Sequence, residues 1–222
     1  MARPKSIQMR TGRDYTLDGL RGIAAIMVAL SHVANLTWIP YVDGGEGALW
    51  QHLLWRLGSP AVDMFIVLSG YVVAKSLLKT KVGIPVYFAS RFIRLLPVAW
   101  AAVIAGLLLR ALTGSPPEEA TAYLQNLSEP LSYADKIGLF TMIFPIPRSE
   151  LINPPLWTLV LEMQAVLLMP LLVMIAKKTA FWVLPLFSII VAYALALKMD
   201  WGYPLYFSGF ALGTALAVHE SK

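Results

Sequence analysis

The sequence predicts an all-α fold, a polytopic bundle of transmembrane helices with about six spans. Of its 222 residues, 58% are hydrophobic and only 14% are charged, whereas soluble domains carry about 25% charged residues. The mean hydropathy is +0.65. Several apolar runs reach the roughly 20 residues that a bilayer-crossing helix needs. The composition therefore predicts a single membrane domain over residues 1–222, with the lipid bilayer as a partner.

Six apolar segments are predicted to span the membrane. In chain order they cover residues 17–39, about 60–79, 92–112, 155–176, 180–197 and 203–218. The first segment is long, lacks a small-residue cleavage site and carries charges, so it is not a cleavable signal peptide. The fourth is apolar around a single acidic residue, Glu162.

The distribution of cations predicts how these segments are oriented. Cations precede the first span, cluster at the second-to-third turn and follow the fourth. They are Arg3, Lys5, Arg10, Arg13, Lys75, Lys79, Lys81, Arg91, Arg94, Lys177 and Lys178. The opposite loops hold only Arg56, Lys136, Arg148 and Lys198 among more numerous acidic residues. Because cytoplasmic loops are enriched in Lys and Arg, both termini are predicted to be cytoplasmic and 113–154 to be a long external loop.

Arg21 and His32 are the most informative pair of residues. Both lie in the first span with ten residues between them. Eleven helical steps make roughly three turns and rise about 16 Å, so both side chains point to one side at different depths. An ionisable side chain inside a membrane costs about 2.5–3.5 kcal/mol or more, so it indicates a functional site.

The predicted orientation assigns the buried charges to two layers. His32, Asp63 and Glu162 fall in the outer half of the membrane, and Arg21, Arg91 and Arg94 fall at its inner boundary. A histidine beside a carboxylate suits a general base. Clustered arginines suit phosphate groups, which they bind in a bidentate manner. This pattern suits a phosphate-rich donor at the inner face and proton transfer deeper inside.

Structural explanations compete with each of these roles. His32 and Glu162 could make interhelical hydrogen bonds. Arg21 could extend to the lipid headgroups or pair with Asp18. Asp63 could cap its helix near Ser59 and Pro60. Arg91 and Arg94 could anchor topology or bind anionic lipid, and Trp157 and Trp38 are interpreted as interfacial aromatic residues.

Several function classes lack support in the sequence. It contains no cysteine, so disulfide and thiolate chemistry are excluded. No ligand-spaced pair of histidines or carboxylates indicates a metal, and none is expected. The phosphate-binding and dinucleotide-binding glycine motifs are also missing. The net charge of +5 fits membrane orientation better than nucleic-acid binding.

Four motifs resemble the acyltransferase-3 family of integral-membrane O-acyltransferases, which modify surface polysaccharides in bacteria. LDGLRGIAAIMVALSHV is similar to the signature of its first helix, and PAVDMFIVLSGYVV to that of its second. RFIRLLP is similar to its RxxR motif, and PPLWTLVLEMQAVLLMP to its WSLxxEEQF segment. Each motif alone is weak evidence for the family, but the four occur in the family's order and within or beside the predicted spans.

The resemblance implies transfer of an acyl group, usually acetyl from acetyl-coenzyme A, to a hydroxyl of an extracytoplasmic carbohydrate at the bacterial inner membrane. By that resemblance His32 is the general base, and Arg21, Arg91 and Arg94 bind the coenzyme A phosphates. Glu162 helps to build the catalytic or acceptor site. From its predicted depth, Asp63 is proposed to orient His32. The acceptor identity, and whether His32 itself carries the acyl group, stay open.

Two departures from the family qualify these expectations. Many members have two adjacent acidic residues where this sequence has Glu162 and Met163. Members usually have about ten spans, so the chain is expected to be a truncated gene product, a fragment, or a short variant that is completed by a partner or by a second copy. Two other functions stay open: a non-catalytic relative acting as a membrane partner or sensor, and a proton-coupled transporter using His32, Asp63 and Glu162.

Overall fold

A computed structural model describes residues 15–36, 46–79, 83–114, 129–143, 152–153, 155–199 and 203–221. Within these ranges the regular structure is helical. The α-helices are α1 (Tyr15–Leu36), α2 (Glu46–Lys79), α3 (Ile84–Thr113), α4 (Tyr133–Thr141), α5 (Leu156–Lys178), α6 (Val183–Met199) and α7 (Tyr206–Glu220). A 3₁₀ turn, Tyr203–Leu205, leads into α7. The all-α prediction is confirmed.

Within the described residues, three of the six predicted spans are long and apolar enough to cross a membrane. They are Arg56–Lys79, Ile84–Leu112 and Leu156–Lys178. The first and fifth predicted spans correspond to shorter apolar helices, Gly19–His32 and Val183–Lys198. The sixth corresponds to α7, which has 15 residues. The residues predicted to extend the first span beyond Leu36 lie outside the described residues.

Two helices begin earlier than predicted. α2 starts at Glu46 and continues through Pro60, so Asp63 lies in the middle of a helix and does not cap one. α3 starts at Ile84, where Gly83 precedes the helix and Pro85 occupies its first turn. Proline suits that position because a first-turn amide has no intrahelical acceptor. Arg91 and Arg94 therefore lie about 10 and 15 Å into α3 rather than at its start.

Glycines allow α2 and α7 to pack closely. A Cβ added at Gly213 would lie 2.1 Å from the Val67 carbonyl oxygen, and one at Gly70 would lie 2.5 Å from that of Phe210. Gly209 completes a Gly-x-x-x-Gly pair on α7, a spacing that favours close helix packing in membranes. Ser69, which precedes Gly70, is only 1% exposed at this contact.

The helix α5 is the most buried of the three candidate spans and α3 is the least. The apolar window of α5 is 56% buried, whereas that of α3 is 6% buried. Large side chains along α3, such as Ile93 and Leu112, are exposed. Exposed apolar surface of this extent suits a lipid environment, because hydrocarbon solvates it without the cost that water imposes.

The described part of the predicted external loop packs on one end of α3. Its helix α4 begins with a capping box between Ser132 and Asp135. The Trp100 indole donates to the Phe140 carbonyl at 2.9 Å, and the two rings stack with centroids 5.5 Å apart. The Arg110 guanidinium donates to the Glu129 carbonyl at 2.8 Å. These contacts fix α4 beside the same end of α3 that leads into the loop.

Candidate functional site

The first charged cluster of the bundle surrounds Glu162 on α5. Glu162 is 9% exposed and interacts electrostatically with Arg21 of α1 and with Arg91 and Arg94 of α3. The antiparallel packing of α3 on α5 explains this arrangement. The Tyr87 hydroxyl of α3 donates to the Val166 carbonyl of α5 at 3.2 Å. Further along α3, Ala99 packs in a core with Val160, which comes before Val166 in α5. Arg91 and Arg94 therefore lie at the level of Glu162.

Aromatic rings support two of the three arginines. The Arg21 guanidinium carbon lies 5.2 Å from the centre of the Phe65 ring, and that of Arg91 lies 5.7 Å from the centre of the Tyr87 ring. A cation over an aromatic face within about 6 Å gains electrostatic attraction. The Arg21 side chain thus lies against α2, which carries Phe65. The alternative pairing with Asp18 involves a side chain outside the described residues.

This cluster has an excess of positive charge. Three guanidinium groups surround one carboxylate, so their formal charges leave an excess of two. Among the described residues, no ion pair within 4 Å links Glu162 to these arginines. Their fork-shaped donors remain available to an anion. Such a cluster is chemically suited to the phosphate groups of coenzyme A.

The second polar site is a cavity around His32. It has a volume of about 310 Å³ and lies where α1, α2 and α7 meet. Its polar lining comes from Ser31, His32, Arg56, Ser59 and Tyr206. Gly58 allows the two helices to approach here, since an added Cβ would lie 2.5 Å from the Ser31 hydroxyl oxygen. The cavity would accommodate part of a polar substrate beside the imidazole.

No described residue makes a hydrogen bond that holds the His32 ring. Its Nδ1 atom is buried and has no hydrogen-bond partner among the described residues. Asp63 lies near the same site, since it interacts electrostatically with Tyr206, but the described contacts include no hydrogen bond between Asp63 and His32. The proposal that Asp63 orients His32 stays a prediction.

A packed apolar layer separates the two polar sites. It contains Val62, Ile66 and Leu161, with Val28 of α1 packed against them. Ile66 is 2% exposed and Leu161 is fully buried. Val28 lies between Arg21 and His32 on α1. Anything that reaches from the arginines to His32 must therefore displace these side chains or pass beside them.

The structure groups the predicted site residues differently from the predicted layers. His32 lines one cavity and Asp63 interacts with Tyr206 of its wall, whereas Glu162 interacts with the three arginines. The difference follows from the early start of α3, which carries Arg91 and Arg94 further along the helix than predicted. Glu162 itself lies about 9 Å from the start of α5, beyond the apolar layer that contains Leu161.

Four further residues at these sites were not predicted as site residues. Tyr87 and Phe65 contact the arginines, and Tyr206 and Arg56 line the His32 cavity. Tyr87 is one turn before Arg91 in the sequence, which is the one signal that could have identified it. Trp157, interpreted as an interfacial residue, lies at the start of α5, and its ring centre is 4.9 Å from that of Tyr206.

Comparison with known proteins identifies the family. A family model described as an acyltransferase domain matches residues 14–220, and that range contains all four motifs and both polar sites. No curated protein and no solved structure matches the chain. Together with the apolar helices, the match supports an acyltransferase that is an integral membrane protein. Because the match extends over nearly the whole sequence, the chain belongs to the acyltransferase-3 family.

Proposed function

We propose that this protein transfers an acyl group, which we take to be acetyl, from acyl-coenzyme A to a hydroxyl of an extracytoplasmic carbohydrate. The proposal places the protein in the inner membrane of a bacterium, with a function in polysaccharide O-acetylation. The observation that carries it is the arrangement of two polar sites around α1. An arginine cluster suited to phosphate lies near one end and a histidine cavity near the other.

The arginine cluster would bind the donor. Arg21, Arg91 and Arg94 would hold the phosphates of coenzyme A on the cytoplasmic side, with Glu162 balancing part of their charge. The pantetheine arm would pass the apolar layer around Ile66 and Leu161 and bring the thioester to His32. An apolar passage suits a thioester because it excludes water, which would otherwise hydrolyse it.

The transfer step would take place in the His32 cavity. An imidazole nitrogen of His32 accepts the proton of the acceptor hydroxyl as its oxygen attacks the thioester carbonyl. The carbon–sulfur bond then breaks, and the imidazolium returns the proton to the coenzyme A thiolate. The products are an ester and free coenzyme A, and His32 ends in its starting form. Asp63 and Tyr206 would adjust the position and charge of the ring.

The decisive experiment compares His32→Ala with Arg94→Gln in purified protein reconstituted in lipid. Radiolabelled acetyl-coenzyme A and a soluble sugar acceptor measure transfer, and coenzyme A binding is measured separately. We expect His32→Ala to reduce transfer by about 10²–10⁴-fold, the usual contribution of a general base, while it still binds coenzyme A. Arg94→Gln should mainly weaken coenzyme A binding.

The result also separates the alternatives. Absence of both transfer and coenzyme A binding in the wild-type protein would contradict the proposal and favour a membrane partner or sensor. Proton-driven flux in liposomes without any acyl donor would instead favour a transporter that uses His32 and Asp63 as a proton relay.

A further inference from the structure

We infer that Arg56 selects an anionic acceptor: a carbohydrate that carries a carboxylate or phosphate group beside the hydroxyl to be acylated. This inference rests on the proposed acyl transfer at His32 and specifies the substrate class of that site. No part of the family resemblance involves Arg56. The inference comes from its position in the structure and from its lack of a partner among the residues that the structure describes.

Arg56 and His32 line the same cavity from different helices. Arg56 lies at the start of the apolar part of α2, and His32 lies near the end of α1. The 310 Å³ cavity between them also exposes the hydroxyl groups of Ser59 and Tyr206. A sugar ring bound there would have hydroxyl partners, a proton acceptor on one side and a guanidinium group on the other.

The charge of Arg56 is unpaired within the structure. Among the described residues it has no hydrogen bond and no ion pair within 4 Å. On the same helix the carboxylate of Asp63 lies seven residues further on, and it interacts with Tyr206. A guanidinium carries five donors in a planar fork that matches a carboxylate or a phosphate. An anionic substituent on the acceptor would provide the missing partner.

The location of Arg56 is unusual for an arginine that serves only topology. The chain concentrates its cations on the predicted cytoplasmic side, and the predicted outer loops are acidic. A cation that anchors topology is expected on the cytoplasmic side, whereas Arg56 is predicted to lie on the other. A binding role accounts for an arginine at that position.

Acceptors that have different charges test this inference. We would measure kcat/KM for acetyl transfer to methyl glucuronoside, to its uncharged uronamide, which has the same hydroxyl groups, and to glucose 1-phosphate, using wild-type, Arg56→Gln, Arg56→Lys and Lys198→Gln proteins. Lys198 is a matched control because it is an exposed cation on the same predicted side, outside the cavity. The two anionic probes distinguish recognition of a carboxylate from recognition of a phosphate.

We expect the wild-type protein to prefer at least one anionic acceptor over the neutral one by about tenfold or more. Arg56→Gln should abolish that preference, Arg56→Lys should restore part of it, and Lys198→Gln should retain it. Equal use of all three acceptors by the wild-type protein would overturn the inference. So would an equal loss on neutral and anionic acceptors in Arg56→Gln.

A binding measurement keeps this test separate from the proposed function. Stabilisation of the protein by methyl glucuronoside or glucose 1-phosphate, without acyl donor, should persist in His32→Ala and disappear in Arg56→Gln. If the wild-type protein transfers no acyl group but shows this binding pattern, the proposed function fails and the anion site stands. If transfer occurs without such binding, the inferred anion site is wrong and the proposed acyl transfer stands.

Discussion

Glu162 balances three positive charges inside the membrane-embedded part of the bundle. It is buried and contacts none of the three guanidinium groups within 4 Å, yet it lies within electrostatic range of all of them. Electrostatic forces act over such separations because the surroundings have a low dielectric constant. One carboxylate can therefore hold three arginines near each other while leaving their donors unpaired.

Replacing Glu162 by Gln should destabilise the protein through repulsion among Arg21, Arg91 and Arg94. We expect the melting temperature in detergent to fall by at least about 3 °C, which corresponds to about 1 kcal/mol for a protein of this size. The double variant Glu162→Gln, Arg94→Gln should recover part of the loss. Asp63→Asn, an exposed acid changed in the same way, serves as the control. An equal loss in both single variants would contradict this explanation.

Glu220 links the end of α7 to α2. Its carboxylate accepts a hydrogen bond from the Tyr71 hydroxyl, and the Lys75 ammonium lies 3.2 Å from the same oxygen. The hydrogen bond from Tyr71 and the nearby Lys75 lower the pKa of Glu220 from its ordinary value of 4.5. A lowered pKa in the folded state means that the contact stabilises above pH 4.5 and is lost as the pH falls through the folded value.

Replacing Glu220 by Gln should therefore produce a pH-dependent effect. At pH 7 we expect a small decrease in melting temperature, because exposed ion pairs contribute little. The difference from wild type should shrink as the pH falls below 4.5. Thermal unfolding of both proteins across pH 3–7 measures it. A difference that stays constant over this range would show that the charge of Glu220 does not matter.

Among the helices, the contact of α2 with α7 depends on glycines, which have no side chain. Gly70 and Gly213 bring the two backbones so close that a methyl group would overlap a carbonyl oxygen on the facing helix. Both polar sites depend on this contact indirectly, since α2 carries Phe65 and Arg56, and α7 carries Tyr206. A change in the helix separation would move the walls of the His32 cavity.

We expect Gly213→Ala to lower the melting temperature by several degrees, because overpacking costs about 1–3 kcal/mol. Its methyl group would meet backbone atoms of Val67 and Tyr71, which cannot move without moving α2. Gly22→Ala is the matched control, since nothing lies within 4 Å of its added Cβ and alanine favours helices. Equal stability of the two variants would contradict the close packing of α2 and α7.

Element boundaries show where prediction from sequence was limited. The apolar pattern located α5 within a few residues, since Pro155 precedes it and Lys177 and Lys178 end it. It missed the early parts of α2 and α3, because those segments mix polar and apolar residues. Hydropathy detects contact with lipid, whereas a helix continues wherever its backbone hydrogen bonds are satisfied. That error carried over into the predicted depth of Arg91 and Arg94.

For the whole molecule, exposed apolar surface and charge distribution predict the relation to the membrane. The outward-facing side chains of α3 and α6 are large and apolar, and the cations concentrate on one predicted side. The orientation with cytoplasmic termini remains a prediction. The absence of cysteine makes it directly testable, because any introduced thiol is the single one in the protein.

We predict opposite accessibility for single cysteines placed at Lys136 and at Lys177. In intact cells a membrane-impermeant maleimide should label Lys136→Cys on α4, whereas Lys177→Cys at the end of α5 should react only after permeabilisation. The cysteine-free parent controls for background labelling. Labelling of both positions from the same side would overturn the predicted topology.

The sequence by itself determined the helical class, the membrane environment and the family. These follow from local composition and from motifs whose residues lie near each other in the chain. It also identified the chemically important side chains, Arg21, His32, Asp63, Arg91, Arg94 and Glu162. Only the tertiary structure decided which of them lie together, because that depends on where each helix begins and on how neighbouring helices are aligned. Antiparallel packing of α3 on α5 placed Glu162 among the arginines, and the meeting of α1, α2 and α7 placed Arg56 and Tyr206 beside His32.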